Sequence, residues 1–193
     1  MEEIKGYIDV KTDDGRIIPL TIETEQIIKP GQLAQNVAIN IERNLPRFAE
    51  RQGFLHIKAE PIAIVAAGPS LNQTIEQLRG FKNVLVCGSA HDHLVRLGVV
   101  PTYALVSDGG KEDKGNLSLP QKDTTYLIAS QCDPGLFDHL ADYRVEMWHY
   151  RGQLGVPEEE KKLFKGEQSI TWGATVAVNS ISVWMMLGHQ QLH

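Results

Sequence analysis

Five short, almost wholly apolar runs recur between residues 60 and 150, and they constrain the fold more than any other feature of the sequence. They are Ile62–Ala67, Val84–Gly88, Tyr103–Ser107, Tyr126–Ser130 and Val145–His149. Runs that are apolar on both faces are typical of strands in a covered parallel sheet, and segments of helical length separate them. The pattern predicts a Rossmann-like α/β fold in which a mostly parallel sheet lies between two layers of helices.

Helix signals lie between these runs. Apolar residues recur at helical spacing over 71–78 and again over 91–97. Asp133-Pro134 supplies an N-cap residue followed by proline at the first helical position, which favours a helix start there. A last helix is predicted from about Gly173 to Leu187, with Gly188 as the residue that ends it.

The first 59 residues follow a different pattern. Two alternating runs, residues 7–10 and 17–22, flank Gly15, which can supply the positive φ of a tight turn, and together they predict a β-hairpin. A helix is then expected to begin after Pro30-Gly31 and to be kinked or divided at Pro46. Its apolar stripe is Leu33, Val37, Ile41, Leu45 and Phe48.

These patterns predict two regions, an N-terminal hairpin and helical region over residues 1–59 and a nucleotide-binding α/β domain over 60–193. The chain stops at His193, five residues after Gly188, where another buried strand should begin, so we expect this domain to be truncated at its C-terminus.

Composition limits the classes of partner. The 193 residues carry 19 Lys+Arg and 24 Asp+Glu, a net charge of -5, which argues against a general nucleic-acid binder. No apolar run approaches the roughly 20 residues that span a bilayer, and the N-terminus lacks the plan of a signal peptide. Cys87 and Cys132 stand in apolar runs and are expected to be buried thiols of a reducing compartment. We therefore expect a cytoplasmic protein, and its oligomeric state stays open.

The step from Ile62–Ala67 into the next helix is the most informative segment. Gly68 would let a ligand approach the backbone, Pro69 would preset the first helical φ, and the amides of Ser70 and Leu71 would face an anion at the helix N-terminus. We expect this turn to bind a phosphate; the alternative is a plain strand-to-helix turn that binds no ligand. No Walker-type phosphate loop occurs, and the dinucleotide fingerprint is broken, so NAD is disfavoured.

Several motifs together resemble the MptE-like domain. They are Ala67–Leu71 after a strand, Gly98-x-x-Pro101 ahead of a strand that leads to Asp108, and Gly173-Ala174-Thr175 opening a helix that reaches Leu187-Gly188. This domain is shared by archaeal 6-hydroxymethylpterin diphosphokinase, the motility accessory factors (Maf) and phage or prophage proteins. It is similar to bacterial sialyltransferases that use CMP-sugars. The resemblance implies that Gly68, Pro69 and Ser70 bind nucleotide phosphates.

The sequence also departs from the pattern of that family. Gly88-Ser89 follows the second strand where members often have Asn or another polar residue, and Thr102 replaces the usual Asp after Pro101. The family's final Gly-x-Asp motif would lie beyond His193. These departures leave activity open.

Three further polar residues are predicted at the same edge of the sheet. Ser89 is expected to contact phosphate or ribose, with an N-cap as its alternative role, and the preceding Gly88 is expected to contact the nucleotide with it. Asp108 could bind ribose or Mg²⁺, or only form an Asx turn before Gly109-Gly110. Thr175 is expected to line the pocket, although close helix packing explains its small neighbours equally well.

His149 is the candidate general base, since the ordinary pKa of imidazole suits deprotonation of an acceptor hydroxyl near neutral pH. A structural histidine at a strand end is the alternative. His91-Asp92-His93 looks like a metal motif, but residues two apart on a helix do not face each other, and we predict no metal site. Cys132 has no basic neighbour in sequence and is not expected to be a nucleophile.

The favoured function is a nucleotide-dependent transferase, of glycosyltransferase type, that binds a CMP-type nucleotide-sugar at the Gly68-Pro69-Ser70 turn. The alternatives are an ATP-dependent diphosphokinase acting on a pterin-like alcohol, which would require Mg²⁺, and a non-catalytic phage or surface-assembly module. The nucleotide would be a substrate rather than a tightly bound cofactor, and the sequence does not identify the acceptor.

Overall fold

The structure is a computed structural model that describes residues 3–11, 15–25, 28, 31–48, 60–111, 113–151, 157–170 and 175–188. The chain divides into two compact units, Met1–Pro30 and Gly31–His193. The smaller unit is a β-hairpin of strands β1 (Glu3–Lys11) and β2 (Ile17–Glu25), which pair antiparallel. Gly15 has a φ of 85°, as a turn glycine requires. The hairpin prediction is therefore confirmed, with longer strands than the alternation indicated.

The larger unit is built on a six-stranded sheet in which every pairing is parallel. This confirms the predicted α/β class and all five predicted strands within a residue or two. The strands follow one another across the sheet in chain order. They are β3 (Ile62–Val65), β4 (Asn83–Cys87), β5 (Tyr103–Val106), β6 (Thr125–Ala129), β7 (Arg144–Tyr150) and β8 (Ser169–Ile170).

Seven helices lie within the described part of the larger unit. Asp133 caps one of them by accepting a hydrogen bond from the Gly135 amide, with Pro134 at the first position, and Gly188 takes positive φ after another, both as predicted. Gly98 takes positive φ after a third helix. None of the described helices combines the length and apolar character that a bilayer crossing requires. The helices are α1 (Gln32–Asn40), α2 (Leu71–Leu78), α3 (His91–Arg96), α4 (Asp113–Asn116), α5 (Pro134–His139), α6 (Pro157–Leu163) and α7 (Val176–Met186).

The strand order determines how the helices are layered. Consecutive parallel strands that advance in one direction have right-handed crossovers, so the helices connecting them belong on one face of the sheet. α7 contacts β3, β4, β5 and also β8. In a flat sheet of six strands the outer two would be about 24 Å apart, twice the width of a helix. The sheet is therefore curled, so that strands from both of its ends contact α7 and complete a three-layer α/β/α arrangement.

α1 ends at Asn40, eight residues before the predicted end of its apolar stripe. Pro46 cannot donate a hydrogen bond and disfavours helical conformation in the preceding residue. The chain instead meets the edge of the sheet, where Arg47 pairs with Met147 and the Met147 amide donates to the Pro46 carbonyl at 2.9 Å. Phe48 is buried in the core, so the apolar spacing correctly indicated burial but not helix.

Two buried asparagines on α1 attach this helix to the sheet. The Asn40 amide donates to the carbonyls of Ser130 and Cys132 at 2.9 and 2.8 Å. The Asn36 amide donates to the Gln131 carbonyl at 2.9 Å. These bonds explain why α1 belongs to the same compact unit as the sheet, whereas the sequence pattern had grouped it with the hairpin.

We predict that Asn40→Asp destabilises the protein by about 3–5 kcal/mol at pH 7, because a carboxylate would face two carbonyl oxygens without a hydrogen to donate. Urea denaturation measures the free energy of unfolding. Ile39→Ala is the matched control, since this side chain is 53% exposed on the same turn, and it should cost less than about 0.5 kcal/mol. Equal stability of Asn40→Asp and the unsubstituted protein would contradict this role of Asn40.

Candidate functional site

The carboxyl ends of the strands bring the predicted site segments to one edge of the sheet. Residues 66–70 follow β3, 88–89 follow β4, 107–110 follow β5 and 130–133 follow β6. Since all these strands are parallel, the four segments share an edge, which we call the carboxyl edge. Open α/β sheets bind ligands at this edge.

The turn after β3 is exposed although the strand before it is buried. Ala66 to Ser70 all face solvent. Among the described residues, a side chain added at Gly68 would meet only the Ser70 hydroxyl, at 3.9 Å, so these residues leave the space above the Gly68 backbone open. Ser70 precedes α2, and its hydroxyl makes no capping hydrogen bond to the helix. Gly68, Pro69 and Ser70 therefore form an accessible turn at the start of a helix.

Leu71 differs from the sequence prediction, which gave it a free amide. Its N–H donates to the Gly68 carbonyl at 3.1 Å, and its side chain packs in the core. The bond closes the turn because Gly68 and Leu71 lie three residues apart, as in a β-turn. Leu71 thus stabilises the turn, and its amide is not available to an anion in this structure.

Two predicted site residues, Gly88 and Ser89, directly follow β4, and only the second has an accessible side chain. Gly88 is buried, and an added Cβ would lie 3.2 Å from Val106 Cγ2 on the neighbouring strand, so close strand packing explains the glycine. Ser89 is exposed within the short 3-10 helix Gly88–Ala90. Thr102, where the family usually has Asp, accepts a hydrogen bond from the Val84 amide at 3.1 Å and links the starts of β4 and β5.

The segment after β5 carries Asp108, whose side chain is exposed at the carboxyl edge. The residue before it is fixed, because the Ser107 carbonyl accepts a 2.6 Å hydrogen bond from the Gln131 side chain. Cys132 lies beneath this segment. Burial, together with the charges of Asp113 and Asp108, raises the pKa of the Cys132 thiol well above its ordinary value, which agrees with a structural role.

Thr175 is exposed at the start of α7 and acts as its N-cap, its hydroxyl accepting from the Val178 amide at 3.3 Å. The neighbouring Gly173 and Ala174 lie outside the described residues. α7 follows β8, whose pairing with His149 and Tyr150 aligns it with the carboxyl end of β7. Thr175 therefore lies towards the carboxyl edge.

His149 is 1% exposed and takes part in a chain of side-chain hydrogen bonds. Its Nδ1 lies 2.9 Å from the Ser130 hydroxyl and its Nε2 lies 2.8 Å from Glu167 Oε2. Arg47 donates to the same carboxylate at 2.6 Å, and the Phe164 ring stacks on the imidazole. Sequence reasoning missed Glu167, because it follows α6 in an irregular stretch without a periodic signal.

The contacts of His149 indicate the charge of Glu167 and the position of the hydrogen on the imidazole ring. Burial alone would raise the pKa of Glu167, but hydrogen bonds from Arg47 and His149 outweigh it and lower that pKa. When the imidazole is neutral, an ionised Glu167 accepts the Nε2 hydrogen, and Nδ1 is then the acceptor for the Ser130 hydroxyl proton. The catalytic role predicted for His149 stays a prediction, and both His149 and the Ser130 beside it are 1% exposed.

His91 and Asp92 have structural partners. Asp92 accepts hydrogen bonds from the hydroxyl and amide of Ser118 and the Leu119 amide, while His91 Nε2 lies 3.2 Å from the Tyr126 hydroxyl. Burial lowers the pKa of His91 despite its contact with Asp92. In the described part of the chain no three His, Cys, Asp or Glu side chains form a metal-binding group.

A groove of about 400 Å³ lies between β8 and the second half of α7, and none of the predicted site residues lines it. Its walls are mainly apolar by area, although four of its lining residues have polar side chains. The lining residues are Arg151, Gln168, Ser169, Ile170, Ser182, Met185 and Met186.

We predict that Glu167→Gln destabilises the protein by about 1–3 kcal/mol at pH 7, because a neutral amide cannot replace the carboxylate between Arg47 and His149. The folded pKa of Glu167 is below its ordinary 4.5, so its stabilisation is present above pH 4.5 and is lost as the pH falls through the folded value. The two proteins should therefore converge in stability as the pH falls below 4.5 and through the folded pKa of Glu167.

Urea denaturation between pH 7 and pH 3 measures this difference. Glu42→Gln is the control, because Glu42 pairs with Lys165 at an exposed position and should contribute less than about 1 kcal/mol. A Glu167→Gln deficit that stays constant down to pH 3 would show that the carboxylate charge is not its source.

Comparisons with known proteins agree with this fold. Among solved structures, the chain is similar to the MAf glycosyltransferase from Magnetospirillum magneticum AMB-1, with a TM-score of 0.67 and 18% sequence identity over 86% of this chain. At this identity the likeness shows the fold alone, and the match covers 27% of the glycosyltransferase chain. The A domain of carboxylic acid reductase from Segniliparus rugosus aligns over 84% of this chain and 26% of its own, with 10% identity. Its TM-score of 0.28 carries no argument.

No match was found among curated proteins. The model of one family, described as 6-hydroxymethylpterin diphosphokinase MptE-like, matches residues 33–193. The match includes all six parallel strands, the turn at Gly68 and the α1 asparagines. It confirms the resemblance seen in the sequence: the chain belongs to the MptE-like family.

Proposed function

We propose that this protein is a nucleotide-dependent transferase of glycosyltransferase type, which binds a CMP-type nucleotide-sugar at the carboxyl edge. The observation that carries the proposal is the turn Gly68-Pro69-Ser70, which is exposed, open above Gly68 and followed directly by α2. A helix N-terminus favours an anion through its free amides and its dipole. Family membership and the fold shared with the Maf glycosyltransferase support a transferase-type role.

The remaining groups of the edge suit a nucleotide. Ser89 and Thr175 offer exposed hydroxyls that can donate to phosphate or ribose oxygens, and the exposed Asp108 carboxylate can accept hydrogen bonds from ribose hydroxyls. With a net charge of -5, the chain has no general positive field to hold a phosphate. We infer that binding depends on the local geometry of the turn.

Deprotonation of an acceptor hydroxyl needs a base, and we propose the Ser130–His149 pair for this step. His149 Nδ1 can accept the Ser130 proton while Glu167 holds the opposite ring nitrogen. Ser130 could then take a proton from the acceptor, with His149 as the group that stores it. His149 would act through Ser130 rather than touch the acceptor.

A second candidate function is diphosphoryl transfer from ATP to a pterin-like alcohol, which the description of the matching family supports. This reaction needs Mg²⁺ to neutralise charge on the transferred group. Asp108 is the carboxylate of the edge that could contribute a ligand, with the nucleotide phosphates and water supplying the others. A cation bound in this way would arrive with ATP.

We predict that nucleotide binding requires an open backbone at Gly68. At a CMP concentration 100 times Kd, the unsubstituted protein should gain about 2.7 kcal/mol, or about 5–10 °C in Tm. Gly68→Val should abolish that shift, because a β-branched side chain fills the space above the turn, and should change the free protein by less than about 0.5 kcal/mol. A thermal-shift panel of CMP, CDP, UDP, GDP, AMP and ATP measures both effects.

Gly115→Val is the matched control, because Gly115 also has open space around its Cβ position but lies in α4, away from the turn. The control should keep the CMP shift. A CMP shift that survives Gly68→Val would contradict the turn as the phosphate site. No shift with any nucleotide would favour a non-catalytic module that retains the fold.

We predict that Mg²⁺ distinguishes the two transferase functions. For glycosyl transfer, the CMP shift should be the same with Mg²⁺ or with EDTA. For diphosphoryl transfer, ATP should give the larger shift, only with Mg²⁺, and Asp108→Asn should reduce its affinity about tenfold or more, since an amide is a weaker Mg²⁺ ligand. A Mg²⁺-dependent ATP shift without a CMP shift would overturn the glycosyltransferase proposal.

A further inference from the structure

Asn179, one turn into α7, is a buried polar residue without a hydrogen-bond partner. Its side chain is 1% exposed, and neither Nδ2 nor Oδ1 has a hydrogen-bond partner among the residues that the structure describes. The backbone amide of Asn179 donates normally to the Thr175 carbonyl at 3.0 Å, so the helix itself is regular there. The unsatisfied groups belong to the side chain alone.

The position of Asn179 relates it to the carboxyl edge. It shares a stripe at four-residue spacing with Val183 and Leu187, both part of the core, so its side chain lies on the face of α7 that packs against the sheet. α7 contacts β3, β4 and β5, the strands that lead to Gly68, Ser89 and Asp108. Asn179 is about 6 Å of helix rise from the exposed Thr175. It is thus the member of the buried stripe nearest the start of α7.

An unsatisfied buried carboxamide lowers stability, since each unpaired group keeps its desolvation penalty. Other buried amides in this unit are paired, Asn36 and Asn40 with backbone carbonyls and Gln131 with the Ser107 carbonyl. A leucine at residue 179 would suit the apolar stripe better. Groups that break such a local rule are expected at functional sites.

We propose that Asn179 reads the nucleobase of the nucleotide bound at the carboxyl edge; this inference rests on the proposed function. The carboxamide presents one acceptor and one donor group in a single plane. A phosphate has only acceptors and would leave Oδ1 unpaired. The edge of a nucleobase such as cytosine has a donor and an acceptor side by side and satisfies both atoms, as Asn does when it pairs with adenine.

The test compares Asn179→Leu and Asn179→Ala with the unsubstituted protein in two measurements. Thermal unfolding without ligand should give an equal or higher Tm for Asn179→Leu, because an unpaired amide is replaced by an apolar group of similar size. Isothermal titration should show CMP binding weakened about 10- to 100-fold in both variants. Binding of ribose 5-phosphate, which lacks the base, should change less than about threefold.

Ser180→Ala is the matched control, because Ser180 is equally buried on the same turn but its hydroxyl donates to the Ala177 carbonyl at 2.5 Å. It should lower Tm and leave CMP affinity unchanged. Unchanged CMP affinity in both Asn179 variants would overturn the inference while the proposed function stands. Equal losses of CMP and ribose 5-phosphate would overturn it as well, and an unsubstituted protein that binds neither compound would overturn the proposed function itself.

Discussion

The packing of α7 against strands from both ends of the sheet is the constraint on which the rest of this structure depends. Six parallel strands in chain order bring their crossovers to one face, so the opposite face needs another cover. α7 supplies it, and the sheet curls so that β3 and β8 both reach the same helix. Because α7 begins after β8, its first turn lies towards the carboxyl edge. One packing requirement therefore also supplies a helix N-terminus to the candidate site.

The sequence predicted those parts of the fold whose signal is local. β3 to β7 were predicted because continuous apolar runs identify strands buried on both faces. β8 was missed because it has two residues, and α4, Asp-Lys-Gly-Asn, was missed because it has no apolar periodicity. The stripe on α1 was extended to Phe48 because residues after a helix can continue its apolar spacing when they pack in the same core.

The candidate site was predictable only in part, because only contacts between residues close in sequence leave a local pattern. Gly68, Ser89, Asp108 and Thr175 could be found because each stands next to a strand end or helix start. The partners of His149 could not, since Ser130 and Glu167 are 19 and 18 residues away in sequence and meet it only through the sheet. Asn36 and Asn40 left a usable signal, an i,i+4 pair of amides beside Val37 on the buried side of α1. Two buried side-chain amides spaced in this way on a helix indicate that a neighbouring segment has backbone carbonyls that need hydrogen-bond donors.

Buried polar groups fall into two sets in this protein. Groups of the first set have hydrogen-bond partners in distant segments. Asp92 accepts hydrogen bonds from the 118–119 loop, and Glu167 pairs with Arg47 and His149. The second set lies on α7, where the side chain of Asn179 and the indole Nε1 of Trp184 have no hydrogen-bond partner among the described residues. Paired networks specify one arrangement of the chain, whereas an unpaired group lowers stability until a partner arrives. The contrast separates groups that hold the fold from a group suited to a ligand.

The α1 asparagines also affect the electric potential where a phosphate would bind. Strand ends present backbone carbonyl oxygens, whose partial negative charge repels anions. Here the amides of Asn36, Asn40 and Gln131 donate to five of them, those of Ser107, Gly109, Ser130, Gln131 and Cys132. Each bond places a positive hydrogen against a negative oxygen and shortens the reach of its field. Neutral side-chain amides can in this way make one edge of the sheet more tolerant of an anion, even in a protein whose net charge is negative.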